Sequence, residues 1–285
     1  MMNKFKKILA ASLACAMLLS LAACGSSKDT ETSSAPSASA GTSPAASEKI
    51  DMSDVKTVTD GKLTMSTNAQ FPPYEMVADD GSFEGIDVEI AQKIAEKLGL
   101  ELVVDDMGFD AALQAAQQGK SDIVMAGVTV TDERKAVMDF SNSYANGVQV
   151  VIVKDGSSIQ SIDDLKGKMI GTQKGTTGYI YCSDTEENDG FGEDHVTAYA
   201  DGASAVQALV NGQVDAVVID SAPAKEYVKA NPGLKILSTE YANEDYAIGV
   251  KKGNTALLNA INTALKELAD DGTVKSIIDK YISAK

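Results

Sequence analysis

Arginine can hold a carboxylate by two parallel hydrogen bonds, while hydroxyls and backbone N–H groups take up the anion's remaining lone pairs. The stretch Asp122 to Arg134, D-I-V-M-A-G-V-T-V-T-D-E-R, carries those parts in order. Ile123, Val124 and Met125 read as a short buried strand, and Ala126 and Gly127 bring the chain to the surface at its end. Thr129 and Arg134 can then both turn back toward that end. The same residues also suit a solvated turn in which Arg134 pairs with Asp132 or Glu133. A second chemical position is Asp220, the acid that closes the apolar run Ala216-Val217-Val218-Ile219. A carboxylate there needs a partner or a watery rim, or it caps the helix that Pro223 and Ala224 begin.

Two loops could join these residues. In Asn68-Ala69-Gln70-Phe71-Pro72-Pro73-Tyr74 the proline pair fixes the backbone, so both rings are held, either lining a pocket or tucked onto the core. Gln173-Lys174-Gly175-Thr176-Thr177-Gly178 opens a helix at Tyr179, and free N–H groups at a helix start favour an anion, although the glycine spacing is not that of a phosphate loop. Asp87 stands at the start of another helix, where capping is the expected role. His195, in Gly192-Glu193-Asp194-His195, has no second His or Cys near it and reads as a solvated loop residue.

The elements that must position these residues alternate. Lys62 to Thr67 reads as a strand, Ala91 to Leu98 with the lead-in from Gly85 as a helix ended by Gly99, and Leu100 to Val104 as a strand. A helix from Phe109 to near Gly119 and the strand at Ile123 follow. After β-rich residues at Val148 to Val153 the pattern restarts, with strands at Met169-Ile170, Val196 to Tyr199 and Ala216 to Asp220 and a helix at Ser204 to Val210. Leu234 to Leu237 suits an edge strand, Tyr246 to Val250 a second crossing strand, and the chain from Thr255 is helical. This is α/β order, and ligands in such sheets gather at the carboxyl ends of strands. Asn68, Phe71, Phe109, Gly127 and Thr129 all arrive at that rim.

Residues 1–23 have a basic head and an apolar stretch too short to span a membrane, which is the form of a secretory signal. Leu21-Ala22-Ala23-Cys24-Gly25 resembles the lipobox of bacterial lipoproteins, which implies cleavage before Cys24 and a lipid anchor on it. The stretch 24–54 is rich in Ser, Ala, Thr and Pro and reads as a tether. Cys182 is then the single cysteine of the exported domain, so no internal disulfide can form and an apolar core must supply stability. The chain holds 25 basic and 41 acidic residues, and the loss of three signal lysines leaves 22 against 41, a charge of −19 that opposes nucleic-acid binding. No metal spacing or nucleotide fingerprint is present in the sequence, and no metal or cofactor is expected.

G-V-T-V-T-D-E-R with the following D-F-S-x-x-Y, N-A-Q-F-P-P-Y, Q-K-G-T-T-G and V-D-A-V-V-I-D together resemble the extracellular solute-binding proteins of polar amino-acid ABC importers, over about Lys62 to Ile282. The resemblance implies a two-lobed periplasmic-binding-protein fold of type II, each lobe a central sheet flanked by helices, with two crossover hinge strands. By it, residues 55–147 plus 247–285 form lobe one and 148–246 lobe two with the hinge strands. It further implies that Arg134 clamps a ligand α-carboxylate with backbone at Gly127 and Thr177 and the Thr129 hydroxyl, and that Asp220 receives the α-ammonium with Gly127 and Thr129 assisting. Phe71 and Phe109 resemble rings that pack on the ligand side chain, and Gln173 helps read its end. Asn68 stands where several members have an acid, a departure that weighs against a lysine-like ligand unless Glu75 or Glu133 supplies negative field. The implied cargo is a free polar L-amino acid, glutamine or arginine among them, the implied partner an ABC permease, and the implied state a lipid-anchored, extracytoplasmic monomer without catalytic residues. Chemistry points the same way, since a zwitterion needs one fixed cation and one fixed anion. An enzyme on the same fold, or a structural surface lipoprotein, is the alternative; neither accounts for Arg134 and Asp220 on converging rims as directly.

Overall fold

A computed structural model describes residues 49–282. The signal segment, the lipobox with Cys24 and most of the tether lie outside the described residues. Ile50 and Met52, within the stretch read as tether, are half-buried against the core. No helix among the described residues is long and apolar enough to cross a membrane.

Nine strands form one curled sheet among the described residues. Its order begins Glu101–Asp106, Lys62–Thr67, Ile123–Val124 and reaches the central pair Ala242–Lys251 and Met138–Lys154. It continues through Ala216–Asp220, Ile170–Gln173 and Val196–Tyr199, while Leu234–Ile236 pairs with the end of Met138–Lys154. Both flanks are parallel and the central pair is antiparallel, so the two long strands are the only continuous link between a first and a second half of this sheet. The first half is covered by Ile86–Leu98, whose Ile86, Ile90, Ala91, Ile94 and Ala95 are buried as its helical spacing requires. The last helices, Thr255–Asp270 and Thr273–Tyr281, return to that same helix, with Lys97 paired to Glu267 at 2.8 Å. Helices Gly202–Asn211 and Ser221–Ala230 cover the second half.

Two departures from the sequence reading bear on the site. Met138–Lys154 is one strand of 17 residues, longer than the β-rich run at Val148 to Val153 and continuous through Asn142, Asn146 and Gly147. Its polar middle is held by pairing with Ala242–Asp245, where Glu244 stands opposite Gly147. The loop after Asn68 is also more ordered than a stiffened turn, because Gln70–Phe71, Glu75–Val77 and Phe83–Glu84 make a small antiparallel sheet. That sheet fixes Phe71 and buries Glu75 completely.

Candidate functional site

The parallel strands of both halves point their carboxyl ends at one cleft. Lys62–Thr67 delivers Asn68, Ile123–Val124 delivers Ala126 and Gly127, Ile170–Gln173 delivers Gln173, and Ala216–Asp220 delivers Asp220. A narrow cavity of about 20 Å³ lies there. All nine residues singled out from the sequence line it: Asn68, Phe71, Phe109, Gly127, Thr129, Arg134, Gln173, Thr177 and Asp220. Glu75, Ala126 and Thr176 complete the wall.

Arg134 lies in the short helix Asp132–Val137, whose cap Thr131 accepts the Arg134 backbone N–H at 3.2 Å. Its guanidinium does not turn to Asp132 or Glu133; Asp132 is paired with Lys135 instead. Nη1 donates to the Thr129 carbonyl at 2.8 Å and Nη2 to the Gly175 carbonyl at 3.1 Å, which leaves other N–H donors of this buried side chain for an anion. The Phe109 ring lies 5.5 Å below the guanidinium carbon, so Phe109 supports the cation as well as lining the cavity. Burial lowers the Arg134 pKa, while Glu244, Tyr181, Asp110 and Asp220 oppose that effect.

Asp220 heads Ser221–Ala230 without capping it. One carboxylate oxygen accepts the Tyr246 hydroxyl and the other accepts Gln149 Nε2 at 2.8 Å. Burial, and then the neighbouring Glu244, pushes Asp220 up to about 7 against the pull of those two donors. Asp87 is also not a helix cap. It is fully buried, accepting the Gly127 N–H at 2.9 Å and the Tyr144 hydroxyl at 2.7 Å. The Gly127 N–H is thereby committed to Asp87, so what remains for a ligand is the Gly127 carbonyl and a surface free of Cβ. A Cβ there would stand 2.8 Å from the Phe71 ring on a backbone at φ +55°.

At the far end Gln173 Nε2 donates to Asn68 Oδ1 at 2.8 Å, and Asn68 Nδ2 donates to the Met107 carbonyl at 3.0 Å. Residues from the two halves thus meet across the cleft. Asp110 and Lys174 at 3.6 Å, and the Tyr227 hydroxyl on the Gln70 carbonyl at 2.9 Å, make the same crossing. On the same cavity wall the Glu75 carboxylate has no protein donor to either oxygen while ionised. Burial, and then Asp87, raises its pKa well above the ordinary value; protonated, it can donate to Asp87.

Glu244, Gln149, Asp87 and Tyr246 escaped the sequence reading as site residues. They reach the site through sheet pairing or the packing of a helix start, and the Val148 to Val153 run and the Tyr246-Ala247-Ile248 pattern signalled the strands without their roles. His195 belongs to the short turn Glu193–His195, and among the described residues no cluster of His, Cys, Asp and Glu is placed to hold a metal. Cys182 is a buried free thiol that burial pushes up to about 12, which keeps it protonated and inert.

Residues 63–284 match the model of the bacterial extracellular solute-binding proteins, family 3. A probable histidine-binding protein of Neisseria gonorrhoeae is 34% identical over 283 residues, covering 98% of this chain and 96% of its own. Two solved structures of an ancestral arginine-binding protein are each 41% identical with a TM-score of 0.73. The one bound to arginine covers 78% of this chain and 99% of its own, and the one bound to glutamine covers 79% and 100%. The sheet order, the cleft and these matches agree that the chain belongs to the bacterial extracellular solute-binding proteins, family 3.

Proposed function

We propose that this protein captures a free L-amino acid with a cationic side chain, arginine foremost, and presents it to an ABC permease. Arg134 holds the α-carboxylate, with the Thr177 backbone N–H at the start of its helix assisting, and Asp220 receives the α-ammonium. The side chain runs between Phe71 and Phe109 toward Asn68, Gln173 and Glu75. Residues 55–147 with 247–285 act as one lobe and 148–246 as the other, closing about the central strand pair. Cys24 carries the lipid that keeps the monomeric receptor at the outer face of the membrane.

The observation that carries the cationic reading is Glu75. A fully buried carboxyl on the cavity wall, partnered by the neighbouring acid Asp87 and with no basic or amide donor on either oxygen, offers both oxygens to an arriving guanidinium. The lining contains Glu75 and Asp220 but a single basic side chain, Arg134, with Asp87 and Glu244 bonded just outside it. A zwitterion adds no net charge to that set of acids, and a cationic amino acid brings one that can take the place of the Glu75 proton. The similar structures hold arginine in one and glutamine in the other, so they support the amino-acid class and leave the choice of arginine to Glu75.

The test is a thermal-shift series on protein unfolded and refolded to strip carried cargo, against the twenty amino acids with ornithine, citrulline and cystine. Ligand at about 100 times Kd adds roughly 2.7 kcal/mol to stability, so arginine is expected to give the largest rise in melting temperature and glutamine a smaller one. Glu75→Gln is expected to weaken arginine binding roughly tenfold, the scale of one charge-assisted hydrogen bond, with little loss for glutamine. No shift with any amino acid would sink the cargo class. A glutamine shift above that of arginine would sink only the cationic refinement.

A further inference from the structure

We infer that Glu244 is the second acid of the ammonium end: it fixes the Thr129 hydroxyl as an acceptor toward the cargo and, held beside Asp220 by the Gln149 amide, keeps on Asp220 a proton that the cargo's ammonium displaces. The inference rests on the amino-acid reading of the cleft and adds a residue and a linkage to it.

The geometry is a closed set of bonds between the second crossing strand and the cleft. Thr129 Oγ1 donates to Glu244 Oε2 at 2.9 Å. A hydroxyl has one proton, so only lone pairs of Thr129 remain for a ligand, and these suit an ammonium rather than a carboxylate. Gln149 Nε2 donates to Asp220 Oδ2 at 2.8 Å and to Glu244 Oε2 at 3.1 Å, so one amide nitrogen holds both acids. Glu244 is 6% exposed and its Oε1 has no partner. With both carboxylates buried on one amide, the charge of Glu244 favours the protonated form of Asp220 when the cleft is empty.

The charged and titratable groups around the pair come from every neighbouring element. Arg134 lies beyond Thr129, Tyr181 reaches Glu244 from the helix Thr177–Ser183, and Tyr246 donates to Asp220 from the same strand as Glu244. Glu75 and Asp87 form a separate acidic pair behind Phe71 and Gly127. Arg134 is the only cation among these and is occupied by the carboxylate end. When the cargo's ammonium arrives, the Asp220 O–H bond breaks, the proton leaves to solvent, and the ammonium N–H groups take its place between Asp220 and Thr129.

The sign follows from the direction of the Asp220 shift. Raised to about 7, the empty cleft's Asp220 is protonated below that value and must release its proton on binding; above it Asp220 is already ionised and none is released. Isothermal titration with L-arginine, and in parallel L-glutamine, at pH 6 in two buffers of different ionisation enthalpy is expected to count about one proton released by the wild type. Wild-type affinity is expected to fall roughly tenfold per pH unit below about 7. Glu244→Gln, which keeps the shape and removes the charge, leaves burial alone to hold Asp220 up and is expected to release fewer protons at pH 6 and to move the onset of release to lower pH. Thr129→Val removes the hydroxyl donor to Glu244 and is expected to move the onset of release to higher pH, a readout available even if Glu244→Gln fails to fold. Binding without proton release, or equal release by wild type and Glu244→Gln, overturns this inference alone. Wild type that binds neither amino acid at pH 8 overturns the cargo reading and this one with it.

Discussion

Arg134→Ala is expected to weaken binding of the preferred amino acid by roughly 10²–10⁴-fold, the equivalent of two charge-assisted hydrogen bonds at about 1.5–3 kcal/mol each. The loss is large because the residue is not a surface cation that water can replace. It is 7% exposed, held to the carbonyls of Thr129 and Gly175, and seated on the Phe109 ring. Removing it leaves the ligand carboxylate buried without its counter-charge. It also removes a bond across the cleft, since Gly175 belongs to the second half of the sheet and Arg134 to the first. Arg134→Lys is expected to recover only part of the loss, because a point-like ammonium cannot reproduce the two-pronged geometry. Titration calorimetry measures both variants, and a melting temperature without ligand separates lost recognition from lost fold. An alanine variant that binds within a few-fold of the wild type would end the assignment of Arg134 to the carboxylate.

Much of this site was legible because its parts sit at the ends of local patterns. The apolar runs at Ile123-Val124 and Ala216–Asp220 are short, bounded and buried on both faces, so their ends were visible, and with them Gly127 and Asp220. Helix ends were equally plain where Gly99, Gly119 and Gly212 adopt the left-handed conformation that stops a helix. What could not be read was whatever depends on a partner distant in sequence. Asp87 has the position of a helix cap, yet its carboxylate turns to Gly127 and Tyr144, 40 and 57 residues away. Glu244 lies in Asn243-Glu244-Asp245, which looks like a turn until the strand opposite is known to carry Gly147 at that register. The middle of Met138–Lys154 fails for the same reason, because Asn and Gly oppose strand formation locally and the pairing with Ala242–Asp245 overrides them.

Asp220→Asn is expected to weaken binding by at least roughly 100-fold while raising the melting temperature of the empty protein at pH 8. The two effects share one cause. Asp220 is buried beside Glu244, and its pKa in the fold, about 7, lies above the ordinary 3.8. An acid whose value rises on folding favours the folded state only while protonated, so its contribution to stability falls as pH climbs from about 4 to about 7 and is fully lost above that. Asparagine never ionises, so the stability gap between variant and wild type should be largest at pH 8 and close near pH 4. Part of the gain is offset, because the amide offers one acceptor where the carboxylate served both the Tyr246 hydroxyl and Gln149. In the occupied protein the order reverses. The ammonium of the cargo supplies the positive charge that the buried carboxylate lacks, and the wild type gains a bond that the amide cannot match. Melting curves of both proteins from pH 4 to pH 8, with and without saturating L-arginine, therefore carry the whole test. A variant that is less stable than the wild type when empty at pH 8, or that binds arginine as tightly, would show that Asp220 serves the fold rather than the cargo.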